Sequence, residues 1–299
     1  MKRAIIALGV SAVAIAGCSS VERPVQATTP APLSPSIYQE KLQSADSAAA
    51  AAFDRFATAG SPEDAHAELK QASGAVLEAA RLLDVNPPAE MLAAHRDLVA
   101  GLRQLATDLS QLSNQAASMK LCAAPSILAL ASNAPGVNSL RTVREALGSG
   151  RLGTSYQWGE FLPAPTQLPE RRLANGQLVD SLRRIGNGQL KVNNGTEHDA
   201  VVKLVQGGKP IVSVYVGKES SATVENIDDG NYELFYTSGI DWDNQLKTFT
   251  RSCQFIRFEA PAEFTTVPIE GGFRYTVQSV VLQPRIGGNA RVPAQSFPR

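Results

Sequence analysis

At Gly188 the apolar residues of this chain change their spacing from steps of three and four to steps of two, and that switch separates a helical part from a strand part. Upstream, His95, Leu98, Leu102, Leu105, Leu109, Leu112, Ala116 and Met119 alternate steps of three and four without a break, which predicts a long helix with one apolar stripe. Two shorter stripes precede it. Tyr38, Leu42, Ala45, Ala49, Ala52, Phe53 and Phe56 form the first; Leu69, Ala72, Val76, Leu77, Ala80 and Leu83 form the second, which opens with Ser61 as N-cap and Pro62 in the first helical position. Gly60 and Asn86-Pro87-Pro88 punctuate the connections. Three such helices joined by short turns cover one another's stripes, so residues 37–120 are expected to form an antiparallel bundle.

Downstream, short runs lie between turn residues: Gln189 to Val192, Ala200 to Gln206, Ile211 to Val216, Ala222 to Glu225, Tyr232 to Thr237, Phe249 to Phe258, Phe264 to Val267 and Arg274 to Leu282. Asn194-Gly195, Gly207-Gly208 and Asp229-Gly230 supply the residues that tolerate positive φ in tight reversals. The stretch from Ala222 to Tyr232, with Gly230-Asn231-Tyr232, resembles the strand, turn and Gly-x-Tyr element of immunoglobulin-like and prealbumin-like modules. The expectation is therefore an α+β multidomain chain, with an N-terminal antiparallel helical bundle followed by an all-β sandwich of immunoglobulin-like or prealbumin-like kind over residues 188–299. Asn187-Gly188-Gln189-Leu190, Asp199 to Leu204, Ser213 to Val216, Asp241-Trp242-Asp243, Phe249 to Cys253 and Gly287 to Ala290 together resemble a C-terminal domain of uncharacterised bacterial secreted proteins and lipoproteins, which implies no known activity. Residues 121–187 read as an irregular connector with a short helix near Leu140 to Leu147. Within it, Gly148-Ser149-Gly150-Arg151-Leu152-Gly153 spells a dinucleotide-binding pattern, yet it follows a helical segment instead of a strand, so a nucleotide site is not expected.

The first residues carry an address. Lys2 and Arg3 precede an apolar run from Ala4 to Ala16, too short for a permanent span of about 20 residues and suited to a signal peptide over residues 1–17. The run ends in Ile15-Ala16-Gly17-Cys18, which resembles the lipobox of bacterial lipoproteins. That resemblance implies cleavage before Cys18 and lipidation of Cys18 by diacylglycerol and fatty acyl chains, so that the membrane is a partner through lipid alone. Residues 18–36, with Pro24, Pro30, Pro32 and Pro35, read as a lipidated N-terminus and tether. Ser19 after the cysteine resembles sorting to the outer membrane in a Gram-negative host; in another host the outer face of the cell membrane is implied. With 28 basic and 28 acidic side chains the chain offers no basic field for nucleic acid.

An extracytoplasmic setting is oxidising, and Cys122 and Cys253 remain once Cys18 is lipidated, so a disulfide between them is expected. Three histidines, His66, His95 and His198, leave little for a metal centre or a general base, and no Gly-x-Ser-x-Gly, Ser-x-x-Lys or His-Glu-x-x-His pattern occurs. No catalytic residue, metal or cofactor is expected. Two weaker features remain. Asp241, Trp242, Asp243 and Asn244 form an acidic loop in which an oxygen-ligated Ca²⁺ or another ligand can be drawn, and Trp158, Trp242, Tyr156 and Tyr236 offer a stacking platform, with packed aromatics as the alternative. These features lead to a non-enzymatic binding or structural protein of the cell envelope that presents its β domain to a protein or glycan. The alternative is an enzyme on envelope polymers using Asp228, Asp229, Asp241 and Asp243.

Overall fold

Proline opens three of the five helices at a position where its missing N–H costs no hydrogen bond. The computed structural model describes residues 31–299 apart from Leu152, Arg183, residues 283–288 and Arg299, so the signal segment, Cys18, the tether up to residue 30 and Gly287-Gly288 lie outside the described residues. Helix α1 spans Pro35–Phe56 and buries the expected first stripe. Helix α2, Pro62–Leu82, starts as its capping residues predict: Ser61 Oγ accepts a hydrogen bond from the Asp64 amide at 3.1 Å, with Glu63 and Asp64 in the first turn. Leu77 is exposed, and Ala79 lies in the buried face instead. A 3₁₀ turn, Ala89–Met91, leads into α3, Leu92–Ala117, whose leucine stripe is buried throughout.

Residues 121–187 hold more structure than the irregular reading implied. Helix α4, Ala124–Ser132, and helix α5, Pro135–Gly148, lie there, and Ile127, Ala131, Val137, Leu140, Tyr156 and Trp158 belong to the same core as α1–α3. The segment Ala124-Pro-Ser-Ile-Leu-Ala-Leu-Ala-Ser is apolar on nearly every side, so it shows no 3.6-residue stripe to read. The approach of α5 to α3 depends on Gly136: a Cβ there would lie 2.4 Å from the Leu105 backbone nitrogen, while the Gly136 amide donates to Asp108 Oδ2 at 2.8 Å. Gly136→Ala is expected to force the two helices apart and to cost about 2 kcal/mol, in the range of overpacked cores. Urea unfolding checks this, and an unchanged midpoint would contradict it.

The strands are β1 Leu178–Ser181, β2 Gly188–Asn194, β3 Asp199–Gln206, β4 Lys209–Val216, β5 Ser220–Ile227, β6 Gly230–Asp243, β7 Thr248–Phe258, β8 Ala262–Phe264, β9 Thr266–Ile269, β10 Gly272–Tyr275, β11 Val277–Leu282 and β12 Asn289–Arg291. A large sheet runs in the order β1-β4-β3-β6-β7-β12, with β8 also paired to β6; a smaller one runs β11-β2-β5, and β9 and β10 form a separate hairpin. Pairing is antiparallel except for β11 beside β2. Gly207 and Gly208 both have positive φ, which lets the β3–β4 hairpin close in two residues with the twist its strands need.

One face of the large sheet, with Val202, Leu204, Val214 and Leu234, shares a core with Leu190, Val192 and Val224 of the small sheet. The opposite face is buried too: Val201, Val205, Tyr215 and Phe235 pack with Cys122, Ala294 and Phe297. Strand β3 is therefore covered on both sides. Its Lys203 is fully buried, and the Nζ donates to the Pro298 carbonyl at 2.8 Å and sits 5.4 Å from the Phe297 ring centre. Residues 32–299 make one compact unit, and among the described residues no helix is long and apolar enough to cross a membrane.

Candidate functional site at the helix–sheet junction

Helix α3 ends where Met119 turns into the left-handed region, φ 57°, with the Met119 amide on Ala116 O and the Lys120 amide on Gln115 O. The turn aims residues 119–122 along β7. There Ser252, φ 51°, interrupts the β6–β7 register and frees backbone donors: Ser252 N–H reaches Lys120 O at 3.1 Å and Cys253 N–H reaches Met119 O at 2.9 Å. The Cys122 amide donates back to Thr250 O at 2.8 Å. Cys122 and Cys253 are joined by the expected disulfide at this place, spanning 131 positions of sequence. Ser126 and Thr250 hydroxyls, 2.6 Å apart, tie α4 to the same strand.

Below the disulfide lies a polar chain. Thr250 donates to Asp241 Oδ2 at 2.6 Å, which leaves its oxygen to accept from Ser126. Arg171 donates to both oxygens of Asp241 and to Asp243 Oδ2 at 2.7–2.8 Å. The next residue repeats the device, with the Arg172 Nε on Asp199 Oδ2 at 2.6 Å and the Tyr215 hydroxyl donating to the same oxygen. Burial pushes the Asp241 carboxyl up, but hydrogen bonds from Arg171 and Thr250 outweigh it and hold the group below the usual carboxylate range. Asp199 is lowered in the same way against its burial, by Arg172 and Tyr215, while burial and the bond to Asp199 raise the Tyr215 phenol. These are salt-bridged clamps that pin residues 171–173 across the end of the sheet.

Each weak candidate then has a definite place. Asp241 and Asp243 are buried, and Asp243 Oδ1 also accepts the amides of Gln245 and Leu246 at 2.9 Å, so it caps the β6–β7 turn. Asp241, Trp242 and Asp243 are the last residues of β6 and not a loop, and a Ca²⁺ ion there would have to displace Arg171. Asn244 is exposed beside Lys247. Asp228 and Asp229 lie at the other end of β6, about 40 Å away for a 14-residue strand; they accept from the Ile185 amide and from Thr266. The four carboxylates do not converge. Trp158 and Tyr156 are buried in the helical core, Tyr236 between the sheets and Trp242 against Phe249, so the four rings share no surface. His95 is buried against the Tyr38 hydroxyl at 3.0 Å, and its burial lowers the imidazole pKa, whereas His66 bonds Ser113 Oγ at 2.9 Å across α2 and α3. Gly148 closes α5, so no strand precedes the glycine pattern.

Sequence reasoning missed a cleft at this junction. One cavity of about 370 Å³ is lined by Arg172, His198, Asp199 and Lys218, and a second of about 400 Å³ by Lys120, His198, Ser252 and Cys253. His198 lines both, and neither its ring nor the Lys218 ammonium has a hydrogen-bond partner among the described residues. Nothing local in the sequence signals the cleft, because Arg171 and Arg172 are paired with carboxylates 27 to 72 positions away. Cys253 offers no thiolate to this cleft, being held in the disulfide. The chain matches no known family model, no curated protein and no solved structure.

Proposed function

We propose that this chain is a lipid-anchored protein of the bacterial cell envelope, non-enzymatic, in which the helices space a β-sandwich away from the membrane for binding or structural work. The observation that carries the reading is where the chain enters the bundle. The Leu33 amide bonds Asn86 O, beside the start of α3, whereas the disulfide to β7 lies just beyond the end of α3. With 26 residues, α3 separates the two by about 39 Å. The chain thus enters the bundle at Leu33 at the end of α3 opposite the disulfide to β7, which suits a protein anchored through residues upstream. The disulfide fits an oxidising compartment, and the two facing sheets with a shared core fit a sandwich of immunoglobulin-like or prealbumin-like kind. An envelope protein or glycan is the class of partner such a surface takes.

Fractionation tests the anchor. The wild-type chain is expected in the detergent extract of membranes and resistant to salt and alkali. Cys18→Ala should keep the signal segment, lose the lipid and leave the membrane fraction once that segment is cleaved by another route, or remain as the uncleaved precursor. Equal behaviour of the two chains, with identical N-termini, would contradict the reading.

A further inference from the structure

The hairpin of β9 and β10 exposes apolar side chains on both of its faces. Val267 and Ile269 project from one face, 44% and 52% exposed, and Phe273 and Tyr275 from the other, 62% and 41% exposed. A two-stranded ribbon is marginal by itself in water, and its two edges are unlike. Glu270 and Gly271 form a two-residue turn, with Gly271 at φ 83°, so the closing pair Ile269 and Gly272 exchanges hydrogen bonds and the next pair, Pro268 and Phe273, points its backbone groups outward. The alternation is confirmed further down, where the Thr276 amide bonds Thr265 O at 3.0 Å.

On the outer edge of β9 the first donor, the Thr266 amide, is taken by Asp229 Oδ2 at 2.8 Å, and the second position is Pro268, which has no N–H. That edge is closed. On the outer edge of β10 the amides and carbonyls of Phe273 and Tyr275 have no backbone partner among the described residues. This edge is short and carries Arg274, but no proline, bulge or covering strand closes it among the described residues.

We propose that β10 is the pairing edge of a two-fold dimer, with a second copy of this chain as its occupant. Two antiparallel β10 strands centred on Phe273 extend the hairpins into a four-stranded ribbon, an isologous contact. Charge complementarity selects this register. Centred on Phe273, Arg274 stands opposite Gly272 of the second copy and diagonal both to its Glu270 and to its Arg274, which sets two opposite-charge diagonals against one like-charge diagonal; centred on Arg274, the two arginines would oppose each other directly. The inference does not depend on the lipid anchor.

The test uses the full chain in mild detergent at about 100 µM, a concentration that fills even a micromolar dimer. Sedimentation is expected to show a dimer, and Phe273→Cys to form a symmetric intermolecular disulfide on mild oxidation, because hydrogen-bonded antiparallel partners have Cα atoms about 5.5 Å apart. Val267→Cys, on the closed strand, should stay uncrosslinked. Arg274→Glu should weaken the dimer about tenfold, and adding Glu270→Arg should restore it. A monomeric wild type overturns the proposal, as does equal crosslinking at 267 and 273. A monomer whose hairpin amides become protected only on phosphatidylcholine vesicles also overturns it, and makes lipid the occupant.

Discussion

The double replacement of Cys122 and Cys253 by serine is expected to lower the unfolding free energy by about 5 kcal/mol, the upper end of what disulfide removal costs, because the bond closes a loop of 131 positions in the unfolded chain. Its effect reaches both the helices and the sheets. The bond closes the path from the end of α3 to the bulge in β7, so the backbone bonds of Cys122, Ser252 and Cys253 lose their covalent support together. Both sulfurs are buried, and two hydroxyls in their place add polar groups to an apolar cluster. Urea unfolding of the oxidised wild type against the variant measures the difference. A loss below about 1 kcal/mol, a fraction of the ordinary disulfide contribution, would show that the junction holds without its bond.

Arg171→Ala is expected to cost about 3 kcal/mol at neutral pH, since it leaves the Asp241 carboxylate, whose side chain is fully buried, with Thr250 and the residue 171 amide as its remaining hydrogen-bond donors. The guanidinium is 45% exposed, which keeps the figure at the low end for a broken buried pair. The pH dependence has a definite sign. Asp241 and Asp199 have carboxyl groups lowered in the folded state, so their contribution is fully present above the unfolded aspartate range, near 4, and is lost as pH falls through the lower folded values. Without Arg171, burial is left to raise Asp241, and acid unfolding should begin at higher pH. Midpoints that fall together with pH in both proteins, at constant separation down to about pH 2, would contradict this.

The helices were legible wherever one face is wet. The leucine stripe of α3 and the Ser61-Pro62 start of α2 stand in the chain as spacing and capping chemistry, and both are realised to the residue. Helix α4 was hidden because a segment buried on several sides has no polar face to set its period. Strand β3 carries the same lesson in the other direction. Its Ala200-Val-Val-Lys-Leu-Val run does not alternate, which is the mark of a strand covered on both faces, and the cover comes from residues 171–179 and 292–298, too irregular to be read as a layer. The disulfide pairing followed from there being two cysteines outside the lipobox. The acidic segment lies at the end of β6 and not in a loop, and its ion-pair partner was not legible, since Arg171 lies 70 positions from Asp241 and nothing local ties them together. The β10 edge needs the register, because only pairing shows that Pro268 faces outward on the neighbouring strand.

A chain tethered by lipid at Cys18 and closed by one disulfide is tested most directly by the intact mass of the membrane-extracted protein, alkylated before and after reduction. The expected result is a chain that begins at Cys18 and carries diacylglycerol and acyl mass, with no thiol labelled until reduction and both Cys122 and Cys253 labelled after it. A chain that retains residues 1–17 or lacks lipid, with Cys122 or Cys253 labelled before reduction, would contradict it.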